Sequence, residues 1–350
     1  LRGDARLWHG ADWHSGTTVM GETFDSVVDR PVEHCALRDK LVVLLGGSGF
    51  FGRHVAQALL AQGARLRIVS RHPERAFALK TLGNLGQVQF ARGDVTSPES
   101  LAHALAGAAG VVNLVGAFAG DLDMLQGEGA GPIAAAAKAA GASAFVQISA
   151  IGADAASPIA YARTKGEGEA AVFAAFPEAT VLRPSLLFGP DDNFVNMFAR
   201  LIAMLPALPV FGPQAKLQPV FVDDAAEAVA AALAEPAAHG GKIYELAGPE
   251  VVTMLGLHQR IAAAQGRERV WTELPDFVSG SFAMLTGWLP GAPITSDQWA
   301  LLKAGNLASG ALPGLKELGV PAHPLELYLD RWMVRYRKHG RFGEKAAAGR

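Results

Sequence analysis

An α/β fold built on a doubly wound parallel sheet, with a smaller C-terminal lobe, is the class this chain predicts, and three observations carry the prediction. Six short apolar runs between residues 41 and 185 are separated by gaps long enough for crossover helices. Three glycines spaced three apart follow the first run and lead into a helix-like segment. Near Pro184 the composition shifts toward proline and phenylalanine, which marks a second region.

The first strand is Leu41 to Leu45, all apolar, as a strand buried on both faces requires. It runs into Gly46-Gly47-Ser48-Gly49-Phe50-Phe51-Gly52 and then a helix from Phe50 to Gln62, where Val55, Ala58, Leu59 and Leu60 recur at helical spacing and Gly63 stops it. The next strands are Leu66 to Val69 and Val88 to Phe90. Ser97 and Pro98 supply an N-cap and a first-turn proline for a helix ending near Gly107. A strand at Val111 to Val115, an alanine-rich helix over Ile133 to Ala140 and a strand at Phe145 to Ser149 follow. A helix over Ser157 to Phe176 and a strand at Thr180 to Leu182 complete the alternation. The division expected is an unstructured extension over residues 1–38, a nucleotide-binding sheet domain over 39–185, an interleaved lobe over 186–340 and a flexible tail over 341–350.

Composition narrows the function classes. Of 350 residues half are hydrophobic and 18% charged, with a net charge of -2, so neither a disordered chain nor an electrostatic nucleic-acid binder is indicated. Cys35 is the single cysteine, which rules out an intrachain disulfide and fits a reducing compartment. No apolar run reaches the roughly 18 residues of a spanning helix, and the histidines show no metal-ligand spacing, so no metal site is expected.

The strand, glycine triplet and helix together read as a dinucleotide site. Gly46 permits a tight turn, Gly49 lets backbone approach a pyrophosphate, Gly52 permits close helix packing, and the helix N-terminus faces the phosphates. An acidic ribose anchor is expected about 20 residues on, where Ser70 and Arg71 stand instead. A carboxylate repels a 2′-phosphate and a guanidinium offers it a fork of donors, so NADP(H) is expected over NAD(H). The alternative is that Arg71 is one solvated basic residue beside Arg67 and Arg75. Strand ends at Gly93-Asp94-Val95 and Asn113-Leu114-Val115-Gly116 add expected contacts, Asp94 with Val95 at the adenine and Val115 with Gly116 near the phosphates. Tyr161 and Lys165 stand four apart in a helix and Ser149 ends the preceding strand. An ammonium beside a phenol lowers its pKa, so this trio can protonate a carbonyl during hydride transfer. It can equally bind the nicotinamide ribose without turnover.

These motifs resemble the short-chain dehydrogenase/reductase superfamily in its extended or atypical branch, with its Rossmann sheet. Phe176-Pro177-Glu178-Ala179, Arg183-Pro184-Ser185, Phe188-Gly189, Asp192-Asn193-Phe194-Val195-Asn196 and Gln218-Pro219-Val220-Phe221-Val222-Asp223-Asp224 are similar to the NADPH-binding accessory subunits of respiratory complex I. So are Leu312-Pro313-Gly314-Leu315, Leu318-Gly319 and Pro324-Leu325-Glu326-Leu327, and the likeness spans roughly residues 40–340. The resemblance implies NADP(H) held tightly outside the electron-transfer chain. It implies core complex I subunits as partners and a peripheral place on the cytoplasmic face of the inner membrane, or the matrix side in a mitochondrion. It places cofactor contacts on Gly46, Ser48, Gly49, Phe50, Phe51, Gly52, Arg71, Asp94, Tyr161, Lys165, Pro184 and Ser185. Competing expectations are a free-standing NAD(P)H-dependent reductase or nucleotide-sugar epimerase or dehydratase, and a nucleotide-sensing regulator of the NmrA-like type. The stretch Leu325 to Arg341 interleaves Trp332 and Tyr336 with arginines, which suits an anionic membrane surface, an acidic partner or a docked helix with a solvated face. The apolar segment Phe277 to Leu289 is expected to be buried in the small lobe.

Overall fold

The computed structural model describes residues 36–275, 277, 279–281, 296–338 and 340. Its centre is a seven-stranded sheet whose strands, in chain order, are β1 (Leu41–Leu45), β2 (Arg65–Ser70), β3 (Val88–Arg92), β4 (Gly110–Asn113), β5 (Ala144–Ile148), β6 (Thr180–Pro184) and Ile243–Leu246. The spatial order runs from Ile243–Leu246 through β6, β5, β4, β1 and β2 to β3, every pair parallel. The order reverses between β4 and β1, so their carboxyl ends flank the crevice where such sheets take ligands. β1, β4 and β5 are buried almost throughout, and the two polar side chains within them, Asn113 and Gln147, hydrogen-bond each other at 2.9 Å.

Helices cover both faces. α1 (Phe50–Ala61) packs on Val222–Ala234, burying Val55, Ala56, Leu59 and Leu60. α2 (Pro98–Leu105) starts at Ser97, whose hydroxyl accepts from the Ser100 amide as the sequence predicts. α3 (Leu122–Gln126) packs against α4 (Ala130–Ala139) and α5 (Ala160–Ala175), which with α2 cover the opposite face. Two large clusters therefore sandwich the sheet, one around Leu44, Ile68 and Val229, the other around Val43, Val111 and Phe145.

The smaller lobe begins with β7 (Leu187–Phe188) and α6 (Phe194–Met204) and has its own core of Val195, Ile202, Leu257, Ile261, Leu329 and Met333. It does not stand apart in sequence. Val222–Ala234 and the strand Ile243–Leu246 return to the sheet, and Leu315, Leu318 and Val320 join the core beneath it. The boundary expected at residue 185 is thus crossed several times. The boundary expected at residue 38 also shifts, because Leu37 is buried in the sheet core and the Asp39 amide donates to the Gly63 carbonyl at 3.0 Å. The rest of the expected N-terminal extension, the tail 341–350 and most of Phe277 to Leu289 lie outside the described residues, although Phe277 itself is exposed.

Candidate functional site

The phosphate turn has the shape its glycines predict. Gly46 adopts φ +80°, and an ideal Cβ there would lie 3.3 Å from the Leu114 carbonyl carbon across the crevice. Gly49 is exposed and caps α1 without any side-chain hydrogen bond, leaving the first helical amides for an anion. Gly52 does meet its neighbour closely, but the contact is the Gly47 backbone, 2.6 Å from where a Cβ would stand, rather than the sheet. Gly47 itself is pressed against Leu44 and Ile68. Ser48 is half-buried in the turn, while the Phe50 and Phe51 side chains pack against the cores, so their backbones are what remain for phosphate.

At the end of β2, Arg71 is exposed and forms no ion pair among the described residues. The neighbouring Ser70 hydroxyl is buried without a hydrogen-bond partner, and Arg92 faces Ser70 in the β2–β3 register. An orphaned hydroxyl beside a free guanidinium is a donor set for a phosphate or ribose oxygen. These groups and the open α1 terminus fit a dinucleotide phosphate. Asp94 is exposed, and the Thr96 amide and hydroxyl donating to it hold its carboxyl below the usual carboxylate range. Val95 and Val115 pack on the second cluster, and Gly116 lies open at the end of β4, where a Cβ would come 3.1 Å from Lys165 Nζ.

Lys165 is buried and donates to the Ile148 carbonyl at 3.1 Å. Burial pushes its ammonium down to about 8 against the pull of Glu169 one turn on. The expectation that this ammonium lowers the Tyr161 phenol fails: burial pushes Tyr161 up to about 12. Lys165 Nζ stands 6.0 Å from the tyrosine ring, and the Phe118 ring stacks on that ring at 4.6 Å. Ser149 is turned away as well, its hydroxyl donating to Glu169 Oε1 at 2.5 Å. Arg183 holds the same carboxylate with two hydrogen bonds, at 2.8 and 2.6 Å. The structure therefore gathers Ser149, Tyr161 and Lys165 at the crevice without orienting them on one common oxygen. Pro184 and Ser185 follow at the end of β6, where the Ser185 hydroxyl donates to the Gln218 carbonyl.

Known proteins resemble this chain in sequence and in fold. The NAD(P)H-binding family model covers residues 46–194. The mitochondrial NADH dehydrogenase [ubiquinone] 1 alpha subcomplex subunit 9 of Arabidopsis thaliana is 30% identical over 319 residues, 86% of this chain and 79% of the relative. The chain belongs to the subunit 9 family. A ceramide reductase of Caulobacter vibrioides is 33% identical over 191 residues, 53% of this chain and 58% of that protein. Among solved structures, Citrobacter sp. triphenylmethane reductase complexed with NADP(H) superposes with a TM-score of 0.66 at 24% identity, covering 83% of this chain and 99% of that one, a likeness of fold.

In this member of the subunit 9 family, two groups around the crevice lack a sequence signal. Gln126 is buried, accepts from the Ala117 amide and donates to Thr164, fixing the loop after β4 against α5. His54 on α1 places Nδ1 2.5 Å from Asp223 and Nε2 3.0 Å from Asp191, and Arg53 also pairs with Asp191 at 2.5 Å. Burial disfavours the imidazolium, but the hydrogen bonds and charges of Asp223 and Asp191 outweigh it and raise the His54 pKa. Among the described residues no group of acidic, histidine or cysteine side chains is placed to hold a metal ion. Trp332 and Tyr336, in the stretch expected to suit a membrane surface, an acidic partner or a docked helix, pack within the chain. The helix Leu325–Met333 buries Leu325, Leu329 and Met333 in the small lobe, Trp332 stacks toward Phe221, and the Tyr336 hydroxyl donates to Asn196 at 3.0 Å. The apolar face of this helix lies in the small-lobe core.

Proposed function

We propose that this chain is a peripheral accessory subunit of NADH:quinone oxidoreductase, respiratory complex I, holding NADP(H) as a structural group. The relationship to the subunit 9 proteins carries the reading, because a match over 86% of the chain cannot be met without the small lobe. The place that goes with it is the cytoplasmic face of a bacterial inner membrane, or the matrix side in a mitochondrion. No helix of the described residues is long and apolar enough to cross a membrane, in keeping with peripheral attachment.

NADP(H) is favoured over NAD(H) by the end of β2, where Arg71 and the orphaned Ser70 hydroxyl occupy the place of an acidic ribose anchor. A bound nicotinamide supplies hydride chemistry. The chain's own groups hold back from it, since Ser149 donates its proton to Glu169, and burial keeps Tyr161 protonated beneath Phe118. A free-standing reductase is the second reading, favoured by the retention of both Tyr161 and Lys165. The deciding experiment is a pull-down of tagged chain from detergent-solubilised membranes. Core complex I subunits are expected in the eluate. A soluble dimer that turns over a carbonyl substrate, with activity lost in Tyr161→Phe, would replace this reading with the reductase.

A further inference from the structure

Phe118 stands in the loop that leaves β4, 62% exposed, and lays its ring on that of Tyr161, 4.6 Å away and within 11° of parallel. The loop is short and shaped by glycine. It starts at Gly116, where a Cβ would come 3.1 Å from Lys165 Nζ, and turns at Gly120 with φ +93°. It is anchored on the residue just before Phe118: the Ala117 amide donates to Gln126 Oε1 at 3.1 Å, and the same buried glutamine donates to the Thr164 hydroxyl at 3.1 Å, on the helix that carries Tyr161 and Lys165. From Val115 to Gly120 the loop has no polar side chain. The charged groups that follow are already committed, since Asp121 accepts from the Met124 amide and Arg163 pairs with Asp123 and Glu167. Apart from Lys165, these residues offer a substrate carboxylate or phosphate no free cation.

Resting on the nucleotide-binding reading, in which Tyr161 and Lys165 hold the nicotinamide ribose, we infer that Phe118 closes the nicotinamide end of the crevice to solvent and to hydride acceptors, and so decides that the nucleotide is held rather than turned over. A carbonyl compound gains a hydride only if it reaches the reduced ring and a proton donor together. Phe118 already occupies one face of the candidate donor, Tyr161. The rest of the phenylalanine ring lies in water until something planar and apolar covers it, and aromatic rings pair readily in offset or edge-on contact. An apolar loop tied to α5 is suited to excluding water from that end of the site, whereas a substrate pocket needs a few convergent polar groups that this loop does not carry.

The test uses the full chain saturated with NADPH and reads acrylamide quenching of the reduced nicotinamide fluorescence. In the wild type the quenching constant is expected to lie about fivefold or more below that of free NADPH. Phe118→Ala should raise it about threefold or more while Kd stays within about threefold, because the ring shields rather than binds. Phe118→Tyr keeps the ring and should keep the wild-type constant. Phe118 is exposed, so both variants are expected to hold the wild-type melting temperature. Phenazine methosulfate, which takes a hydride from NADPH and leaves NADP+, gives a second readout, and its rate with bound nucleotide should rise in Phe118→Ala alone. Equal quenching in the wild type and Phe118→Ala, or a wild-type constant equal to that of free NADPH, would overturn the inference while leaving the nucleotide reading intact. So would a loss of shielding in Phe118→Tyr as large as in Phe118→Ala. Failure of the wild type to bind NADPH at all would overturn that reading, and the inference with it.

Discussion

Two glycines of one turn are expected to fail in different ways when each gains a methyl group. At Gly52 an ideal Cβ falls 2.6 Å from Gly47 Cα and 2.7 Å from Gly47 O, backbone that cannot rotate aside. Gly52→Ala must therefore push α1 off the turn, and overpacking of this kind costs about 1–3 kcal/mol. At about 2–4 °C per kcal/mol, the melting temperature of the nucleotide-free protein should fall by roughly 2–12 °C. At Gly49 the nearest atom to a Cβ is Gly46 O at 3.5 Å, and φ of -72° suits alanine. Gly49→Ala should cost less than about 1 kcal/mol without nucleotide, the difference between the two residues as N-caps. Its damage appears on adding NADPH, because the new methyl group stands where backbone must approach the pyrophosphate. The wild type at a hundred times Kd gains about 2.7 kcal/mol, and a tenfold loss of affinity cuts that to about 1.4. Differential scanning fluorimetry with and without NADPH separates the cases. Equal melting losses in the free proteins, or a full NADPH-induced shift in Gly49→Ala, would refute the assignment of this turn to phosphate.

Other expectations follow from side chains already placed. Arg71→Glu should erase a preference for NADPH over NADH of at least tenfold, about 1.4 kcal/mol, in titration calorimetry; equal affinities in the wild type would sink the specificity argument. Leu329→Ala, in the small-lobe core, should destabilise by about 2–5 kcal/mol in urea unfolding, whereas Leu327→Ser, 47% exposed, should change stability by under about 0.5 kcal/mol. His54, its pKa raised between Asp191 and Asp223, stabilises the fold fully below the ordinary imidazole value of about 6.5, and that contribution is lost as pH rises through its raised value. Urea midpoints should therefore decline over that interval, and His54→Gln should flatten the decline; an unchanged slope would count against the ion-paired imidazolium.

Most of the sheet was legible because each of the first six strands is an apolar run of period one or two bracketed by turn residues. The seventh, Ile243–Leu246, was not, because Glu245 interrupts it, a buried carboxylate to which the Ser309 amide and hydroxyl donate at 2.6 and 2.8 Å. The phosphate turn was legible for a local reason: glycine spacing encodes backbone shape directly. Glu169, Gln126 and His54 were not, since each matters through partners 9 to 169 residues away. The orientation of Ser149 belongs with them. Sequence places it beside a tyrosine and a lysine, but the direction of its proton is set by a glutamate two helical turns past the tyrosine. The basic stretch after Leu325 shows the converse limit, because an apolar stripe has the same period whether it meets the protein's own core or another surface.

The late arrival of the seventh strand bears on how the protein is made. Until Ile243–Leu246 pairs with β6, the outer row of β6 amides and carbonyls has no ladder partner. A ribosome adding roughly 5–20 residues per second takes several seconds to go from Pro184 to Ile243. Throughout that interval the nascent sheet carries an open parallel edge, the kind of surface that recruits other chains. The glycine turn and α1 have by then emerged, but Val222–Ala234, which α1 packs against, is still to come. A nascent chain arrested before residue 246 is thus a natural client for a chaperone, and the small lobe inserted between the two strands sets the length of the wait.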